Sequence, residues 1–140
     1  MMLPPVNYLA VLVSAVVLFI LGGAWYSKAL FAKPWMKLQG INPDAVMTPE
    51  QKKRMPAMLL QAFLCGLVTS YVMAVLLNHF VDLTPARGAL VGCLCWIGFA
   101  GPAAYANTLF SMRSRKLWVI DSGHTLVGFV LAGVILAVWR

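Results

Sequence analysis

Four stretches of this chain carry no charged side chain, and each is as long as a membrane span. Met1 to Ser27 covers 27 residues, Met55 to Val81 another 27, Gly88 to Met112 25, and Ser122 to Trp139 18. A hydrocarbon core about 30 Å thick is crossed by ~20 helical residues rising 1.5 Å each. The spacing therefore predicts membrane helices at about 8–26, 57–80, 88–110 and 118–139. Strands are the poorer alternative, because barrel strands alternate polar and apolar residues over ~10 positions. A run such as Val11 to Gly22 (VLVSAVVLFILG) is apolar on every face. Of the 140 residues, 61% are hydrophobic and only 11% charged, which excludes an ordinary soluble globule, where about a quarter are charged. The expected fold is all-α: an integral membrane four-helix bundle forming a single transmembrane domain over 1–140.

The charges that exist fall between the spans. Lys28, Lys33, Lys37, Lys52, Lys53 and Arg54 lie between the first and second, and Arg113, Arg115 and Lys116 between the third and fourth. Nine of the eleven cations thus share one side. The positive-inside bias makes that side cytoplasmic and puts both termini outside. The net charge of +7 is read as a topology signal facing anionic headgroups. It does not point to nucleic acid, since no basic domain exists to hold one. The first window lacks the positive start of a secretion signal and is expected to be retained as a span.

The cytoplasmic loop 27–55 has its own punctuation. Leu30 to Leu38 (LFAKPWMKL) mixes bulky apolar groups with lysines, as an interfacial segment on headgroups does. Lys33, Trp35 and Lys37 are its expected headgroup contacts, joined by Arg113, Arg115 and Lys116 from the other basic loop. Thr48-Pro49-Glu50-Gln51 reads as a helix start with a capping box. Pro56 then bends the following helix or ends a short preceding turn.

The segments Gly22-Gly23-Ala24-Trp25-Tyr26-Ser27, Leu30-Phe31 and Lys33-Pro34-Trp35-Met36, with Ile120-Asp121-Ser122-Gly123-His124 at the start of the last helix, resemble the signature of the family called domain of unknown function 1761. The resemblance spans nearly the whole chain and departs from the usual pattern at Lys28, in place of proline, and at Asp121, in place of Asn. It implies a small four-helix protein of a bacterial inner membrane, and it implies no activity.

Chemistry has to be sought among the polar groups that lipid makes costly. Gln61, Asn107, Asp121 and His124 fall at similar depth, near the cytoplasmic edge, and form a candidate polar cluster. Asp121 and His124 share a helical face with Gly128 and Ala132, so that face is expected to meet protein, with Leu126, Val130 and Val134 turned mainly to lipid. A carboxylate beside an imidazole could relay protons. The structural alternative has Asp121 steadying the helix start or pairing with Arg113 or Arg115, and His124 making an interhelical hydrogen bond. His79 and His124 stand at opposite membrane edges, and no cysteine arrangement suits a metal, so no cofactor, metal site or catalytic residue is assigned.

Small residues supply the remaining signal. Gly22 and Gly23, Gly88 and Gly92, and Gly128 and Ala132 are candidate points of close helix approach. Gly98 and Pro102 predict a kink in the third span. The expected function is non-catalytic: a self-associating protein or an accessory subunit that stabilises a larger membrane complex. The alternative is a small oligomeric channel or proton-linked transporter using Asp121 and His124.

Overall fold

The computed structural model describes residues 4–140, so the first three residues of the opening charge-free stretch lie outside it, and the described chain is helical throughout its regular structure. Helix α1 (Tyr8–Trp25) begins where the Asn7 side chain accepts from the amides of Leu9 and Ala10, meeting two donors that an unaided helix start leaves open. A short α2 (Ala32–Leu38) follows. Helix α3 (Pro49–Leu77) opens on the capping box: Thr48 accepts from the Gln51 amide while the Gln51 side chain accepts from the Thr48 amide. It runs on through Pro56 and ends only at Leu77. The carbonyl that Pro56 leaves without a donor belongs to Lys52, on an exposed turn where water can serve it.

The third membrane-length unit, Pro85–Phe110, has three parts: α4 (Pro85–Cys95), a π-helical turn (Trp96–Ala100) and α5 (Gly101–Phe110). The amide of Gly101 reaches back five residues to the carbonyl of Trp96. This shifts the bonding pattern by one residue just before Pro102, which has no amide hydrogen to give. Where a kink is expected at Gly98 and Pro102, the chain makes this π turn. Helix α6 (Arg115–Val138) is capped by Ser114. The third and fourth units begin at Pro85 and Arg115, earlier than the lipid-length windows suggest, because Thr84 and Ser114 cap these helices about one and two turns, respectively, before their uncharged runs begin.

Four helical units are long and apolar enough to cross a membrane, and the protein is a multi-pass membrane bundle. Helix α6 lies at its centre, packed on α1, α3, α4 and α5, while α1 also pairs with α3. The interior is made chiefly of small or slender side chains, among them Ala10, Val11, Ala74 and Ala132. Bulky groups such as Phe19, Ile20, Leu64 and Val68 face outward. In water this would be inverted; in lipid, close backbone approach supplies the attraction and large apolar groups meet acyl chains.

The closest approach joins α4 to α6. A methyl group added at Gly88 would overlap the carbonyl oxygen of Gly133, and one at Gly92 would overlap that of Phe129. Both glycines of the GxxxG pair are therefore spent inside the protomer. Between α1 and α3, Ser70 donates to Ser14 at 3.0 Å, with both residues fully buried. Ser14→Ala should cost about 0.6 kcal/mol, the average for interhelical hydrogen bonds in lipid, and adding Ser70→Ala should cost little more. Thermal unfolding of the single and double variants in mild detergent checks this. Additive losses would count against the bond.

Both ends of the described chain meet the α3–α4 connection. Asn7 donates to the Arg140 carbonyl oxygen, Asn78 to that of Pro5, and the Arg140 guanidinium to Phe80 and Val81. The nine clustered cations occupy the opposite end.

Candidate functional site around Asp121

At the basic end, α1 stops and the chain doubles back. Ser27 donates its hydroxyl to the Ala24 carbonyl, the Phe31 amide bonds to Trp25, and the Ala32 amide to Ser27. This tight reversal lays α2 against α6. Two donors far apart in sequence then meet one acceptor. The Tyr26 hydroxyl lies 2.7 Å from Oδ1 of Asp121, and Nε1 of Trp35 lies 2.9 Å from the same oxygen. A third donor, Nε1 of Trp25, reaches the Ile120 carbonyl at 3.0 Å. Three donors from two segments, the end of α1 and α2, are thus tied to the second turn of α6.

Aromatic rings surround these bonds. Tyr26 sits 5.4 Å from both Trp35 and His124, and Trp25 sits 6.1 Å from His124 and 4.9 Å from Phe31. Two glycines make room for them in a reciprocal way. A methyl at Gly22 on α1 would lie 3.4 Å from His124 Nε2, and one at Gly123 on α6 would lie 3.1 Å from the Trp25 ring. Each helix offers a glycine where the other offers an aromatic ring. Burial, followed by the hydrogen bond and charge of Asp121, pushes the Tyr26 phenol well above its ordinary range, so the hydroxyl stays protonated as a donor.

The other members of the expected polar layer do not join. Gln61 is exposed on α3, and Asn107 is exposed on α5, where it accepts only from Ser111 of the next turn. Equal depth does not give equal direction, and those two side chains point away from the Asp121 face. Trp35, which its interfacial pattern assigns to the headgroups, turns its indole N–H inward to Asp121 instead, because the chain reversal brings α2 onto α6. Lys33, Lys37, Arg113, Arg115 and Lys116 remain exposed. Asp121 takes Tyr26 and Trp35 as partners, not the arginines. His124 Nε2 is buried without a hydrogen-bond partner, so the expected interhelical bond is not made through that atom.

Among the packing glycines, Gly22 and Gly128 touch a neighbouring helix, Gly128 against Leu18, whereas Gly23 and Gly98 face open space. Ala132 is fully buried. Leu126, Val130 and Val134 are half-buried and not simply lipid-facing, a consequence of the central place of α6. Trp96, well inside its span, donates to Thr125 of α6 at 3.0 Å. Sequence reasoning misses this bond, the Ser14–Ser70 pair and the tie of Tyr26 and Trp35 to Asp121. The last had a signal: both segments carry the family resemblance, which hints that they meet.

No curated protein and no solved structure matches the chain. The family described as protein of unknown function (DUF1761) matches residues 9–137. That stretch runs from the first turn of α1 to the last turn of α6 and includes every residue of the Asp121 cluster. The chain is a member of this family.

Proposed function

We propose that the protein is a non-catalytic subunit of a bacterial inner membrane, acting by association with itself or as an accessory that stabilises a larger membrane complex. The observation that carries this reading is the fate of Asp121. The acidic group best placed for chemistry is held by Tyr26 and Trp35, where it fastens α1 and α2 to α6. Association has a surface available, because α3 turns Leu60, Leu64, Val68 and Val72 outward. The nine cations at one end favour a cytoplasmic location for both basic loops, with the described chain ends outside.

Light scattering of the protein purified in several mild detergents tests the association. Particles containing more than one 15.3 kDa chain, or a fixed ratio of this chain to other subunits, are expected. A lone protomer in every detergent would contradict it.

A second reading, proton-linked transport, draws on His124 Nε2, which is buried and unpartnered on the same helical face as Asp121. Liposomes carrying the protein and a pH-sensitive dye should hold an imposed proton gradient, since an unpaired charge crossing the apolar middle of the bundle costs several kcal/mol or more. Collapse of the gradient, abolished by Asp121→Asn or His124→Gln, would establish the transporter instead.

A further inference from the structure

The lipid-facing side of α5 and α6 holds a groove that the association reading does not use. Helices α4 and α6 touch backbone to backbone at Gly88 and Gly92. Past the π turn that contact gives way to an open groove of about 530 Å³ between α5 and the start of α6. Gly101 and Pro102 lie on one wall and Val119 on the other. Trp96 closes the deep end, its ring lying over Gly101, where an added methyl would be 3.1 Å away. We propose that this groove binds one acyl chain of an anionic glycerophospholipid, with Arg115 holding the phosphate.

The lining selects for such a ligand in three ways. First, apart from Arg115 at one end, the groove residues carry no charged side chain. A polar ligand along its length would lose hydrogen bonds to water and regain few, whereas a hydrocarbon chain loses none. Second, Arg115 is the only charged group lining the groove, and no carboxylate lines it in opposition. Among the described residues the one ion pair joins Arg87 to Asp82 at the far end of the bundle. A guanidinium suits a phosphate because its planar fork donates two parallel hydrogen bonds. Third, Trp118 lines the groove, and its Nε1 is buried with no acceptor in the protein. A buried unsatisfied donor costs about 1–3 kcal/mol, and a turn of the indole toward the groove would let an ester or phosphate oxygen of a lipid accept from it.

Depth agrees with this occupant. Tyr105 packs on Trp118 at 5.0 Å near the basic end, while Trp96 bonds to Thr125 two turns further in. From Tyr105 to Trp96 the wall spans about 14 Å at 1.5 Å per residue. That is close to half of a hydrocarbon core ~30 Å thick, the reach of a chain from a single leaflet. The charged end of the groove is the headgroup end, and the apolar end lies at mid-membrane.

Native mass spectrometry of the full chain in mild detergent, titrated with phosphatidylglycerol or phosphatidylcholine, tests the site. One phosphatidylglycerol should be retained, roughly tenfold more tightly than phosphatidylcholine, which carries the same phosphate but adds a choline cation that competes with Arg115 and is repelled by it. Arg115→Gln should erase that preference. Arg113→Gln, at an exposed neighbour that does not line the groove, should leave it intact. Val119→Trp fills the groove from an exposed position and should weaken both lipids, with helix content by circular dichroism confirming that the variant folds. The proposal fails if the two lipids are retained equally by the unaltered protein. It also fails if Arg113→Gln acts as strongly as Arg115→Gln, which would mark diffuse attraction to headgroups. Displacement of phosphatidylglycerol by inorganic phosphate alone would likewise overturn it, since an anion site would then need no chain.

Discussion

Asp121→Ala should destabilise the bundle by about 2–3 kcal/mol in mild detergent, the largest loss expected of any single polar substitution in this chain. The figure follows from two hydrogen bonds to one carboxyl oxygen, at 2.7 and 2.9 Å, each worth roughly 1.5 kcal/mol when the acceptor is charged. Bonds in membrane bundles average nearer 0.6 kcal/mol, about 1.2 for two, so the expected loss lies between that sum and the roughly 3 kcal/mol of two charge-assisted bonds. Removing the acceptor strands the Tyr26 hydroxyl and the Trp35 indole N–H together and frees α2 from α6. Asp121→Asn retains an amide oxygen in place and should lose about half as much. Thermal unfolding followed by circular dichroism reads both variants. Loss of Trp35 burial, seen as a shift of tryptophan fluorescence toward that of exposed indole, should accompany Asp121→Ala at temperatures where the spans remain helical.

Gly88→Ala should cost about as much, through overlap instead of a lost bond. Its methyl group would occupy the space of the Gly133 carbonyl oxygen and press on the Ala137 side chain. Overpacking a tight interior costs about 1–3 kcal/mol, and the upper end applies because backbone, unlike a flexible side chain, cannot turn aside. Gly98→Ala is the internal control. It lies on the same membrane-spanning unit with nothing within 4 Å of the added methyl, so its effect should stay within about 0.5 kcal/mol. Equal losses at the two positions would refute the backbone contact between α4 and α6.

The contrast between those glycines also shows what a sequence can disclose about such a chain. Lipid permits few arrangements, so four uncharged stretches are enough to expect four helices, and Thr48, Pro49 and Gln51 announce the start of α3 through capping chemistry that acts within a single turn. Gly88 and Gly92 advertise a close approach in the same local way. Their partner stays hidden: Gly133 and Ala137 stand at the same small-residue spacing on α6, but which neighbour they meet depends on how α6 is rotated. Depth is legible in the same sense, since each residue adds 1.5 Å of rise. Direction around the helix axis is not. Gln61 and Asn107 therefore look like companions of Asp121 when only depth is read, yet they face outward. Trp35 looks like a headgroup anchor until the reversal after Tyr26 folds α2 inward, a turn fixed by the bonds of Ser27 and Phe31. Pro102 signals an irregular helix, but it does not disclose whether the helix bends or inserts the π turn seen at Trp96–Ala100.

The central claim is that the distinctive segments of this chain converge on Asp121 as a structural fastening between α1, α2 and α6. A double-mutant cycle between Tyr26 and Asp121 measures it most directly. Tyr26→Phe removes only the hydroxyl, Asp121→Ala removes the acceptor, and the difference between the double variant and the sum of the singles isolates their mutual energy. A coupling of about 1 kcal/mol is expected for a bond of 2.7 Å to a carboxyl group. Strictly additive losses would contradict the fastening.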